Sequence, residues 1–450
     1  MKQRAISIFV LSALMLTMLA GCTTITATTT TPITSDATIN APPAGMPPGG
    51  APPGGGGAAS VETGTGAYVM TDGEEINGGT YTSSNADENA IRVEGEVTAT
   101  LNNVTVTKSE GAASNNDAAS FYGLNAAILA LDGATLTVNG GSITATPEGS
   151  TGIFAYDGAT IYINDAEITV SGGNAGGIEV AGGGVMYATN LTVNSTVKAA
   201  IRSDRGGGTM VVDGGTYTTG GSSGAPAIYS TADITVSNAT LVSNDSEAVV
   251  IEGLNSVTLI DSDVTGNMSG TYGDESGVHV QNVMLYQSMS GDAEAGTSVF
   301  TMSGGSLVSK NGDMFYVTNT DSIINLSGVD LTLADGTYLL LVAGNDGSRG
   351  WGSAGANGGI GTVNLTKQTV TGDIKVDSIS QLALTISDSS AYTGAINSDG
   401  TTAAALSVTI DDSSTWTLTG DSYITQLNGS MDHVVLNGYT LYVNGTALTD

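Results

Sequence analysis

Basic residues are scarce in this chain, and Lys198, Arg202 and Arg205 stand together. Asp204 lies among them. Glu179 sits at the equivalent place one sequence repeat earlier, and Tyr229 one repeat later. A carboxylate, a guanidinium and a phenol on one face could form a ladder of exposed ion pairs, each contributing only about 0–1 kcal/mol. They could equally hydrogen-bond a polar ligand such as a sugar. No catalytic residue is assigned. The two histidines, His279 and His433, lie far apart, and neither a Ser-His-Asp set nor a His/Cys metal spacing can be built from them.

Three stretches interrupt an otherwise regular pattern: 108–125 with Tyr122, 284–298 with Tyr286, and 343–362 with Arg349 and Trp351. Loops leaving a regular scaffold are common binding elements. Trp351, beside Arg349 in a Gly-rich run, could stack on a sugar ring or fold back onto the scaffold. The run Gly355-Ala356-Asn357-Gly358-Gly359 lacks the lysine and Gly-Lys-Ser/Thr ending of a phosphate loop. Acidic pairs recur at Asp261/Asp263, Asp274/Glu275 and Asp411/Asp412. They leave calcium as the one cofactor to consider. Corner aspartates also bond their own backbone, and there is no EF-hand or Gly-Gly-x-Gly-x-Asp nonapeptide, so no metal ligand is assigned.

The elements that must position these residues repeat along the chain. A short strand (small residue, aliphatic, variable residue, apolar residue) recurs about thirteen times at a mean period of about 28 residues. Examples are Ala127-Ile128-Leu129-Ala130, Gly152-Ile153-Phe154-Ala155, Gly177-Ile178-Glu179-Val180 and Ala200-Ile201-Arg202-Ser203, continuing through Gly277-Val278-His279-Val280 to weaker copies at Leu339, Ile374, Ile396 and Ile424. A second pair of apolar anchors follows in most copies, seven residues apart: Val97/Val104, Leu136/Ile143, Ile161/Ile168, Ile234/Leu241, Val257/Val264. Gly, Asn and Asp corners lie between or beside them. Alternation puts Ile128 inward and Leu129 outward. A single coil cannot bury its inner face, but stacked coils can, at about 4.8 Å per coil. The reading is an all-β, single-stranded parallel β-solenoid, a rod roughly 60 Å long. The outward variable positions then make Glu179, Arg202 and Tyr229 vertical neighbours.

Composition narrows the partners. A formal charge of −32 with only 11 Lys and Arg excludes nucleic acid as a natural partner. Lys2 and Arg4, then the apolar stretch Ala5–Ala20, have the form of a secretory leader. It ends in Leu19-Ala20-Gly21-Cys22, which resembles the lipobox of bacterial lipoproteins and implies a signal peptide at 1–21 and lipidation of Cys22. Cys22 is the single cysteine, so no disulfide forms within the chain. Residues 22–66 read as a Thr/Pro/Gly-rich linker that cannot bury a core.

Residues of about 67–430 resemble the right-handed parallel β-helix of pectin-lyase-like proteins and bacterial adhesin-like surface proteins. The stretch Trp416-Thr417-Leu418-Thr419-Gly420-Asp421-Ser422, followed by Ile424 and Leu427, resembles the last coils of autotransporter passengers. A C-terminal hairpin over 431–450, turning at Asn437-Gly438, is expected to cap the final coil. The resemblance implies a cell-envelope protein anchored outside the cytoplasm, whose only membrane attachment is its lipid. It would bind glycan or another surface through Trp351, Arg349, Tyr122, Tyr286, Glu179, Arg202 and Tyr229. Lyases of that fold use clustered Asp for calcium and a Lys or Arg to abstract a proton, and related hydrolases pair Asp residues. A polysaccharide lyase or glycoside hydrolase is therefore the alternative, and a passive spacer the third reading.

Overall fold

A computed structural model describes residues 61–222, 224–269, 279–288 and 290–448. The leader, Cys22 and the linker through residue 60 lie outside them, as do Asp274, Glu275, Gly277 and Val278. The described residues form a parallel β-solenoid carrying a single α-helix, α1 (Asn116–Tyr122).

One strand from each coil builds a twelve-stranded sheet: β1 (Thr65–Met70), β2 (Glu88–Glu94), β3 (Ile128–Leu131), β4 (Ile153–Ala155), β5 (Ile178–Val180), β6 (Ile201–Ser203), β7 (Ile228–Ser230), β8 (Val249–Glu252), β9 (Gln281–Tyr286), β10 (Asp313–Thr318), β11 (Leu340–Val342) and β12 (Ile374–Val376). Every neighbouring pair is parallel and in register. Ile91, Ile128, Ile153, Ile178, Ile201, Ile228 and Val249 therefore stack in one column, all fully buried. β-Branched side chains suit this pleated, enclosed surface, and each such burial contributes roughly 1.5–3 kcal/mol.

Most of the remaining strands form a second large parallel sheet, and the C-terminal coils add a four-stranded and a three-stranded sheet. The seven-residue anchors point inward here: Leu136/Ile143, Ile161/Ile168, Ile234/Leu241 and Val257/Val264. Met186/Val193 and Met210/Tyr217 fill the coils in which the aliphatic pattern is broken. In the first repeat the aligned pair is Ala99/Val106 rather than Val97/Val104. Corners between the anchors use left-handed residues, among them Asn103 (φ 51°), Asp165 (φ 53°) and Asn238 (φ 55°). At paired-glycine corners the demand is steric as well. A Cβ on Gly215 (φ 92°) would stand 2.3 Å from the Leu191 carbonyl oxygen of the coil below.

Three sequence expectations shift register. The rung expected at Val278 is β9, where Val283 aligns with Val249, and Tyr286 belongs to that strand rather than to a loop. Leu340, not Leu339, aligns with Phe315. Asn437-Gly438 is a corner between two parallel-paired strands, Val434–Val435 and Leu441–Val443. The antiparallel hairpin comes one turn later, pairing Leu441–Val443 with Thr446–Leu448 across Asn444-Gly445. Both Asn-Gly pairs adopt positive φ, so local turn chemistry is the same at both, and partner strands decide which becomes the hairpin.

The outward column of the first sheet positions the candidate site. It runs Arg92, Leu129, Phe154, Glu179, Arg202, Tyr229, Val250, Met284, Tyr316, Leu341, Lys375. Leu129 points outward as expected, but it is fully buried. The 108–125 insertion folds over it.

Candidate functional site

The insertion is fixed by its own helix signals. Asn115 caps α1, its side-chain oxygen accepting the Asp117 and Ala118 amides, both at 3.1 Å. Gly123 (φ 71°) ends the helix in the left-handed conformation. A Cβ there would stand 2.7 Å from Leu129 Cδ1 and 3.1 Å from the Phe154 ring, so only glycine lets the insertion close onto this column. Beside α1 a cleft of about 520 Å³ opens over Arg202 and Tyr229. α1 supplies Asn116, Asp117, Ser120 and Phe121. Asp292, Glu148, Asn174 and Lys198 also line it.

Beneath the cleft, Glu179, Arg202 and Tyr229 are the vertical neighbours expected from the repeat. They are not an exposed ladder. Glu179 is 0% exposed, Arg202 8% and Asp204 4%. The Thr151 hydroxyl donates to Glu179 Oε2 at 2.7 Å, while Glu179 Oε1 lies 3.4 Å from Arg202 Nε. Arg202 Nη2 donates to Asp204 Oδ2 at 2.7 Å and to Ser120 Oγ at 3.1 Å. Its Nη1 is buried without a hydrogen-bond partner.

One repeat on, Glu252 is enclosed and accepts three hydroxyls: Tyr229 at 2.6 Å, Tyr286 at 2.9 Å, and Ser288. These bonds lock two cleft-lining tyrosines in place. Burial lifts the Glu179 carboxyl to about 7 and that of Asp204 to about 6, against the opposing pull of the Arg202 charge. Burial, reinforced by the nearby Arg202 charge, lowers the Lys198 ammonium below its usual range. Burial also drives the Tyr229 phenol well above its usual range.

The structure gathers Arg202, Tyr229 and Tyr286 around one cleft, while Glu179 is buried beneath it and does not line it. Tyr122 is not among its lining residues and packs edge-on against Tyr156 at 5.5 Å; its neighbour Phe121 faces the cleft instead. Trp351 folds back. Its ring meets Tyr286 edge-on at 4.8 Å, the Arg349 guanidinium lies 5.1 Å over it, and it packs on the cluster of Val250, Met284 and Tyr316. His279 lies 2.8 Å from Asp313 and His433 3.5 Å from Asp412, at separate places.

Corner acids serve the backbone. Asp411 accepts the amides of Asp388 (2.8 Å) and Ser413 (3.0 Å), and these bonds hold its carboxyl down at about 2. Among the described residues no three His, Cys, Asp or Glu side chains gather to hold a metal.

Sequence reasoning missed Phe121, Glu148, Glu252 and Asp292. Glu252 was within reach, since it lies two residues after the outward Val250. Asp292 carries no such signal, because it reaches the cleft from a non-repeating loop.

Chemically, the cleft offers amide, carboxylate and ammonium groups over aromatic rings. No protein-family model matches the chain, and no curated protein shows significant similarity to it.

Proposed function

We propose that this chain is an adhesin-like, surface-displayed β-helix protein, tethered through lipid on Cys22, that binds glycan in the cleft between α1 and residues 290–294. One observation carries the reading. Phe121, Tyr229 and Tyr286, together with Asn116, Asp117, Asn174 and Lys198, converge from separate coils on one cleft of about 520 Å³. Sugars present dense hydroxyls and apolar ring faces, and aromatic rings beside amides, carboxylates and an ammonium complement both. The lipobox-like leader and the pectin-lyase-like repeat support display outside the cytoplasm.

The test incubates the full chain with neutral and acidic polysaccharides, with and without calcium, and follows polymer length by size-exclusion chromatography. Co-elution with a polymer of unchanged length supports the reading. Absence of co-elution with every polymer overturns it and leaves the passive spacer.

A second reading, polysaccharide lyase or hydrolase, draws on one observation: a lowered amine, Lys198, shares the cleft with a raised carboxyl, Asp204, at about 6. A lowered amine and a raised carboxyl shift in the directions that general acid–base catalysis requires. Shortened polymer, lost in Lys198→Ala, would replace binding with catalysis.

A further inference from the structure

A second hollow of about 360 Å³ lies beyond the first. Its lining includes Arg205, Thr231, Leu254, Asn255 and Glu294 with glycine backbone, and it shares Asp292 with the first. The first hollow runs over the strands as far as Asp204, and the second lies past their C-terminal ends. Asn174, Lys198 and Gly224 precede β5, β6 and β7, whereas Arg205, Thr231 and Leu254 follow β6, β7 and β8. Arg205 stands at their boundary. Its Nη2 donates to Asp292 Oδ1 at 2.6 Å, and its guanidinium covers the Phe121 ring at 4.0 Å. One side chain thus ties the α1 insertion to the loop that carries Asp292.

We propose that the two hollows are one groove for a linear glycan running along the strands, closed in its middle by an Arg205–Asp292–Phe121 clasp. This inference rests on the glycan reading above. With the clasp closed, a chain enters the first hollow only as far as Arg205, so the wild-type protein binds chain ends. With the clasp open, the groove runs through to the exposed Leu254 and accepts the interior of a chain. The clasp can yield, because Arg205 and Asp292 are both partly exposed to solvent and such a pair is weakened by salt. The second hollow offers an apolar side chain, an amide, a hydroxyl and glycine backbone beside the charges of Arg205, Asp292 and Glu294, a mixed surface that suits a sugar.

The test titrates full-length wild type, Arg205→Ala and Arg205→Lys with short oligomers and parent polymers of a neutral β-glucan and of a polyuronate, matched in chain-end concentration. Wild type is expected to bind oligomer and polymer equally per chain end. Arg205→Ala is expected to favour polymer over oligomer by about tenfold or more. Arg205→Lys, which keeps a charge for Asp292 but lacks the planar group over Phe121, should fall between. High salt should move wild type toward Arg205→Ala. An unchanged polymer-to-oligomer ratio in Arg205→Ala overturns the clasp while leaving the glycan reading intact. So does a wild type that already prefers polymer per chain end. Binding of neither probe class by any of the three proteins overturns the glycan reading, and the clasp with it.

Discussion

Glu179 and Arg202 occupy facing positions on adjacent parallel strands, with Oε1 3.4 Å from Nε; Glu179 is sealed from solvent, and Arg202 keeps only the small exposure by which it lines the cleft. An acid and a base stacked on a solenoid's outer face are ordinarily solvated. Here α1 and its neighbours cover them, so a solvated ladder becomes a buried network that also includes Asp204. A buried carboxylate deprived of its counter-charge is far more costly than an exposed one.

Arg202→Met keeps most of the stem volume but removes the charge from between Glu179 and Asp204. The expected loss is about 3–5 kcal/mol near pH 8. The loss should shrink near pH 5, where both carboxyls take up protons. Denaturant unfolding at the two pH values measures the difference.

Glu179→Gln should flatten part of the pH dependence of stability. The folded-state carboxyl at about 7 lies above its ordinary value of 4.5. The native state therefore binds the proton more tightly than the unfolded chain does. That contribution is fully present below about 4.5 and is lost as pH rises through about 7, on the order of 3 kcal/mol in all. Asp204, raised to about 6, acts in the same direction. Thermal unfolding from pH 4 to pH 8 should show wild type losing more stability than Glu179→Gln. Parallel profiles would contradict the assignment.

Two glycines of similar φ separate backbone preference from steric demand. Gly158 (φ 69°) has open space where a Cβ would go, whereas Gly215 (φ 92°) faces the Leu191 carbonyl at 2.3 Å. Gly158→Ala should cost about 1 kcal/mol and Gly215→Ala clearly more, because a stacked coil must shift. Urea midpoints of the two variants give the comparison.

Tyr217 fills an inward position fully, and its hydroxyl has no hydrogen-bond partner among the described residues. Burial pushes its phenol above the usual range. Tyr217→Phe should leave stability unchanged or raise it by up to about 1–3 kcal/mol, since a buried unsatisfied polar group is removed without opening a cavity. A marked loss would mean the hydroxyl is bonded in solution.

Much of this was legible in the sequence, and the boundary of what was legible is physical. The columns of Ile and the vertical order Glu179, Arg202, Tyr229 follow from a fixed repeat and parallel register, which local pattern determines. Burial of that ladder did not follow, because a non-repeating insertion covers it and periodicity says nothing of where an insertion lands. Phe121 rather than Tyr122 faces the cleft for the same reason: the roll of a two-turn helix is set by Gly123 closing on Leu129. The apolar run at Val283–Tyr286 falls out of step with the preceding copies, so periodicity alone assigns Tyr286 to a loop where the structure has a strand.

The central claim is that the cleft beside α1 holds glycan, and one measurement addresses it most directly. Full-length wild type and Lys198→Ala/Phe121→Ala are each run with the polysaccharide panel on size-exclusion chromatography, with folding of the variant checked by circular dichroism. The account predicts that wild type co-elutes with at least one polymer, that the polymer keeps its length, and that the variant, still folded, elutes alone. Co-elution undiminished in the folded variant would contradict the account and move binding elsewhere on the solenoid.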